Sequence, residues 1–146
     1  MPATLMIIDD DDDDIELFCE AVKTADDSSS CITARSAEEA LEMLALHPEY
    51  ELTCIFLDLN MPRLNGKQCL VKLKEMPHLT HVPIVIYSTS SRDKYAMEVK
   101  QLGAVAFLTK PSKQDDLVHA IQWALNRDWD ALETLIPSYY PLTRQA

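Results

Sequence analysis

The 146-residue chain predicts an α/β fold of the (βα)5 type: a doubly wound, five-stranded parallel sheet with helices on both faces. Three observations support this. Five short apolar runs alternate with amphipathic stretches of helical period, an order that implies a parallel sheet. The length fits one domain with a proper core, and an apolar fraction of 47% fits a globular chain. Polar groups also follow four of the five runs: Asp9-Asp10, Asp58, Ser88 and Lys110. Strand ends of this kind form the rim where open α/β sheets place their chemistry.

Leu5 to Ile8 is the first strand, ended by the acidic run Asp9 to Asp14. Ile15, Phe18, Cys19 and Val22 recur at helical spacing behind it, with Asp14 placed to cap that helix. Cys31 to Ala34 is a shorter strand. Ser36 opens the next helix, and Glu39 completes a capping-box pattern. Cys54 to Leu57 is the third strand and delivers Asp58 to its end; Asn60, Met61 and Pro62 leave the sheet, since proline cannot continue a central strand. A turn at Asn65-Gly66 leads into a helix with Cys69, Leu70 and Leu73 on its apolar side.

Pro83 to Tyr87 is the fourth strand, followed by the hydroxyl run Ser88 to Ser91. The helix carrying Tyr95, Val99 and Leu102 closes at Gly103, the usual residue for a left-handed cap. Ala104 to Thr109 is the fifth strand, before Lys110-Pro111. The last helix starts near Ser112, with Leu117, Ile121, Ala124 and Leu125 inward. Residues 1–126 are thus expected to form the domain. Residues 127–146 form a helical extension and tail, too short for an output domain. In it, Trp129, Tyr139 and Tyr140 offer either a homodimer contact or packing on their own domain.

A formal charge of -11 with no Lys/Arg cluster argues against direct nucleic-acid binding. No apolar run approaches the ~20 residues of a membrane span. No charged start precedes a long apolar stretch, as a secretory signal would require. Cys19, Cys31, Cys54 and Cys69 sit in apolar-periodic segments with no CxxC, so reduced thiols and a cytoplasmic location are expected.

In a parallel sheet the four polar strand ends lie on one rim. Clustered carboxylates there repel, which raises their pKa values unless a cation sits among them. A hard divalent ion with oxygen ligands, Mg2+ rather than zinc, fits a site without nearby His or Cys. Lys110 and Ser88 could hold phosphoryl oxygens, and an ionised Asp58 could attack phosphorus to form an acyl phosphate. Each motif alone has a plain structural explanation: the aspartate run as a solvated turn, Asp58 as a helix cap, Ser88 to Ser91 as a polar loop. Joint occurrence at the right strand ends favours chemistry.

The segments IIDDDDDDIELF, IFLDLNMPRLNG, PIVIYSTS and FLTKPS resemble the four signature blocks of response-regulator receiver domains, in order and at their spacing, across residues 4 to about 126. The LDLNMPRLNGK block and the C-terminal segment are most similar to stand-alone receivers of the phytochrome-associated type. The resemblance implies a flavodoxin-like sheet in the order 2-1-3-4-5. It implies Asp58 as phosphoacceptor, Asp10 binding Mg2+ directly, Asp9 mainly through water, and the Asn60 backbone carbonyl as a further ligand. Ser88 becomes the switch hydroxyl, Lys110 the site lysine and Phe107 the switch aromatic, with a cis bond before Pro111. The implied partner is a sensor histidine kinase or a histidine phosphotransfer protein, and the output passes by protein contact or phosphorelay.

Some positions depart from the pattern. Asp11, Asp12 and Asp13 have no assigned role beyond added attraction for a cation, Thr89 sits where many members carry Ala, and Gln68 replaces a frequent Glu. Two rivals remain. A haloacid-dehalogenase-like phosphatase would use Asp9 as nucleophile, but its late acidic pair could only be Asp115-Asp116, inside the final helix. A pseudo-receiver would bind partners without ever accepting phosphate.

Overall fold

The computed structural model describes residues 2–89, 92–126 and, as backbone, 139–141. Its strands are β1 (Thr4–Ile8), β2 (Ser30–Ala34), β3 (Cys54–Leu57), β4 (Ile84–Ser88), β5 (Ala106–Thr109) and β6 (Tyr139–Pro141). Helices α1 (Asp12–Ala25), α2 (Ala37–Leu46), α3 (Gly66–Glu75), α4 (Arg92–Gln101) and α5 (Gln114–Leu125) alternate with the first five. Those five strands are parallel, in the order β2-β1-β3-β4-β5.

The sheet is six-stranded rather than five-stranded. β6 adds antiparallel to β5, with Tyr140 opposite Phe107 and Tyr139 opposite Leu108. Its three residues, Tyr-Tyr-Pro, carry no alternating pattern. Backbone pairing with the open edge of β5 makes this strand, and Pro141 is tolerable because the strand is at the sheet edge. The expected helical extension through Trp129, Leu132, Leu135 and Ile136 lies outside the described residues, as do Ser90 and Ser91.

Side-chain alternation divides the core in two. Leu5 and Ile7 of β1 face α1 and α5 with Phe18, Val22, Phe56, Leu117 and Ile121. Met6 and Ile8 face the other layer with Leu44, Ile55, Leu70, Leu73, Ile86, Val99 and Phe107. Each such side chain stabilises by about 1.5–3 kcal/mol through leaving water. Phe18 tilts against Phe56 and Tyr87, which meet edge-on, with ring centroids 4.8 to 6.1 Å apart.

Helix starts follow local chemistry, with one correction. α1 is capped by Asp11 rather than Asp14: its side chain accepts the backbone N–H groups of Asp13 (2.9 Å) and Asp14 (3.1 Å). The helix begins one turn earlier than the apolar residues suggest, because an acidic first turn suits a helix N-terminus. Ser36 caps α2 by accepting from the Glu39 N–H. A full capping box forms at α3, where Asn65 accepts from the Gln68 N–H and Gln68 Oε1 accepts from the Asn65 N–H. Gln68, a departure from the family pattern, thus starts a helix. Gly103 adopts φ +107°, the left-handed conformation expected at the end of α4.

Candidate functional site

The acidic corner is assembled by strand ends. Backbone ladders carry past β1 and β3: the Asp9 N–H donates to Ala34 O (3.1 Å) and the Asp58 N–H to Ile8 O (3.0 Å), which sets the two acids side by side. The Asp9 carboxylate accepts the Asp11 N–H (3.0 Å), and Asp58 accepts the Asn60 N–H (3.2 Å). Asp9, Asp58 and Ser88 are buried, whereas Asp10 is exposed. One carboxylate oxygen from each of Asp9, Asp10 and Asp58 lies within 4.8 Å of the others.

Lys110 enters from the end of β5, anchored by its N–H to Ser88 O at 2.9 Å. Its Nζ lies 2.7 Å from Asp9 Oδ2, 2.6 Å from Asp14 Oδ2 and 3.7 Å from Asp58 Oδ2. The Tyr87 ring centroid is 5.5 Å away, so the ammonium rests against an aromatic face. Asp14 was expected as a helix cap, yet its side chain reaches this lysine. The signal for that pairing was only its i+5 position after Asp9, which a helix start at Asp12 turns back toward the rim.

Electrostatics match a site short of positive charge. Burial raises the Asp9 pKa to about 6, against the opposing hydrogen bonds of Lys110 and Asp11, and the Asp58 charge adds to the rise. Burial also pushes Asp58 up, while Lys110, the Asn60 N–H and the Ser88 hydroxyl oppose it. Desolvation would lower Lys110, but contacts with Asp14 and Asp9 outweigh it, so the lysine stays charged. Asp9 Oδ2 is buried, and among the described residues its contact is the Lys110 ammonium at 2.7 Å, which leaves it acceptor capacity to spare. A buried oxygen with spare acceptor capacity, between two further carboxylates, suits a hard divalent cation.

The loop after Asp58 is tightly set. Arg63 has φ 62°, uncommon for a residue with a side chain. A Cβ on Gly66 would fall 2.2 Å from the Asp58 carbonyl oxygen and 2.5 Å from Leu59 Cα. Glycine is therefore required there by the approach of α3 to the acid's own backbone, a constraint invisible in the dipeptide Asn65-Gly66. Phe107 is fully buried among the α4-side core residues. The expected cis bond before Pro111 is absent, since every peptide bond among the described residues is trans. Trans is the intrinsic preference even before proline, and Lys110 reaches the acids without departing from it.

Residues 5–122 match the response regulator receiver domain family. The chain belongs to that family. Its members are phosphorylated on an aspartate and bind a divalent metal. Response regulator Rcp1 of Synechocystis sp. is 29% identical over 125 residues, 83% of this chain and 85% of Rcp1. The crystal structure of its Mn(2+)-bound form superposes with a TM-score of 0.70 at 28% identity, covering 83% of this chain and 90% of that one. The phosphorylated cyanobacterial phytochrome response regulator RcpA superposes at 0.74 and 25% identity, covering 84% and 90%. Nitrate/nitrite response regulator NarL of Escherichia coli is 30% identical over 137 residues, which span 93% of this chain but 61% of NarL. No helix among the described residues is long and apolar enough to cross a membrane.

Proposed function

We propose that this receiver works as a phosphorylation switch with Asp58 as the phosphoacceptor. The supporting observation is convergence: three carboxylates and one lysine from three strand ends meet within a few ångströms. The donor is phosphohistidine on a sensor histidine kinase or a histidine phosphotransfer protein. The similarity to Rcp1 and RcpA favours a kinase of the phytochrome type.

Asp9, Asp10, Asp58 and the Asn60 carbonyl would hold Mg2+, which when bound neutralises charge on the transferring group. Asp58, ionised, attacks phosphorus as the P–N bond breaks, and the electron pair leaves with the imidazole. Lys110 releases its acid partners to hold one phosphoryl oxygen. Ser88, which already hydrogen-bonds Asp58, turns to hold another. Its displacement vacates space into which Phe107 rotates, changing the surface of α4, β5 and α5. A bias of a few kcal/mol toward that minor conformation is enough to shift its population.

On this reading the chemistry is Mg2+-dependent self-phosphorylation and autodephosphorylation, not turnover of a separate substrate, and the signal leaves by protein contact or phosphorelay. Incubation with acetyl phosphate and Mg2+ should add one phosphate, absent from Asp58→Ala. Labelling that survives in Asp58→Ala would refute the assignment. No labelling of either protein, with folding and Mg2+ binding intact, would favour a pseudo-receiver. Hydrolysis of a phosphate ester dependent on Asp9 but not Asp58 would favour the phosphatase. The positions of Asp115 and Asp116, in the first turn of α5 and outside the metal cluster, count against that rival.

A further inference from the structure

Away from the phosphoryl site, two cysteines meet. Cys19 on α1 and Cys31 on β2 bring their Sγ atoms to 3.2 Å. Cys31 stands opposite Leu5 on the edge strand of the sheet and faces the layer in which α1 packs. Both residues are partly exposed, whereas Cys54 and Cys69 are buried. A disulfide needs the sulfurs at about 2.0 Å, roughly 1.2 Å closer than they stand. Nothing in the phosphoryl-transfer chemistry uses this pair.

We propose that Cys19 and Cys31 form a reversible redox pair, closed to an intrachain disulfide by a hydroperoxide, which clasps α1 to the edge strand β2. The two sulfurs differ in a way that orders the steps. The hydrogen bond between the two sulfurs holds the Cys19 pKa below the ordinary thiol value against the pull of burial. The same hydrogen bond, with burial behind it, pushes Cys31 up. Cys19 is also the less buried of the two and is taken as the attacking sulfur. Its thiolate takes the distal oxygen of the peroxide as the O–O bond breaks, and the departing hydroxide gains a proton to become water. The resulting Cys19 sulfenic acid is then attacked by Cys31 sulfur. The S–S bond forms, Cys31 loses its proton, and the sulfenyl oxygen leaves as a second water. Two thiols and one hydrogen peroxide give one disulfide and two waters, with two electrons passing from sulfur to peroxide. A dithiol reverses the change by thiol–disulfide exchange.

The test uses the full chain, reduced and then treated with hydrogen peroxide, denatured, alkylated with iodoacetamide and mapped by peptide mass spectrometry. Two of the four cysteines should become resistant to alkylation, with the Cys19 and Cys31 peptides joined within one chain and freed by dithiothreitol. Cys31→Ser should leave Cys19 as a sulfenic acid trapped by dimedone, and Cys19→Ser should leave Cys31 unlabelled. The proposal is overturned if both peptides stay separately alkylated after oxidation, if the link joins two chains, or if dimedone labels Cys31 in Cys19→Ser and not Cys19 in Cys31→Ser.

Discussion

Asp9 and Asp10, at the end of β1, contrast with Asp11 to Asp14, which enter α1. The six residues are chemically identical and consecutive, yet they carry different loads. Asp9 is fully buried beside a second buried acid and has its pKa raised. Asp11 spends its carboxylate on two backbone N–H groups, and Asp12 pairs with Arg35 at the surface. Asp14 turns back to Lys110. Backbone geometry divides the run: a strand end aims side chains at the rim, Asp11 caps the helix, and the first helical turn spreads the next three around its axis. The lesson is that charge density alone identifies no site, because burial and partner decide what each carboxylate does.

The largest effect should come from the strand-end half. Asp9→Asn is expected to weaken Mg2+ binding by more than about tenfold, or ~1.4 kcal/mol, measured by titration calorimetry. It should also slow labelling by acetyl phosphate. Unchanged binding would remove Asp9 from the metal site.

Next comes pH. Asp9 has a folded pKa of about 6 against an ordinary value of 3.8, so in that window the native state holds more protons than the unfolded chain. Stability of the metal-free protein should therefore fall as pH rises from about 4 to above 6. Asp9→Asn should flatten that part of the curve, and Mg2+ should stabilise the wild-type protein more at pH 7.5 than at pH 5, because proton and cation compete for the same oxygens. Thermal melts across pH, with and without Mg2+, check both.

The helical half should respond differently in sign and size. Asp14→Asn frees Lys110 of one of its two close partners and removes one negative charge from the rim. Labelling by small anionic phosphodonors should speed up by roughly threefold, under 1 kcal/mol of barrier. A slowed reaction would mean that Asp14 positions the lysine productively. Asp11→Ala should leave labelling nearly unchanged and destabilise the fold by about 1 kcal/mol, as loss of an N-cap does. Asp12→Ala should change stability by less than about 0.5 kcal/mol in denaturant melts, because its bond to Arg35 is exposed on both sides.

Much of the candidate site could be read without coordinates. Asp9, Asp10, Asp58, Ser88 and Lys110 each follow an apolar run, and the parallel topology implied by the alternation brings such ends together. The helix and strand boundaries lay within a few residues of expectation, apart from the start of α1 and the added β6. The missed features depend on contacts between distant segments. The pairing of Asp14 with Lys110 spans 96 residues of sequence. The requirement for glycine at 66 comes from the Asp58 carbonyl, and the meeting of Cys19 with Cys31 comes from how α1 lies on the sheet.

Sequence alone determined the five βα units, the doubly wound layering and the polar character of one rim, because apolar period and strand-end chemistry are local properties of the chain. Tertiary structure decided which aspartate holds the lysine, which glycine admits the loop after Asp58, that the bond before Pro111 is trans, and that Tyr139–Pro141 extends the sheet. Those outcomes turn on ångström-scale distances between elements far apart in the chain, and no residue pattern encodes such distances until the elements have packed.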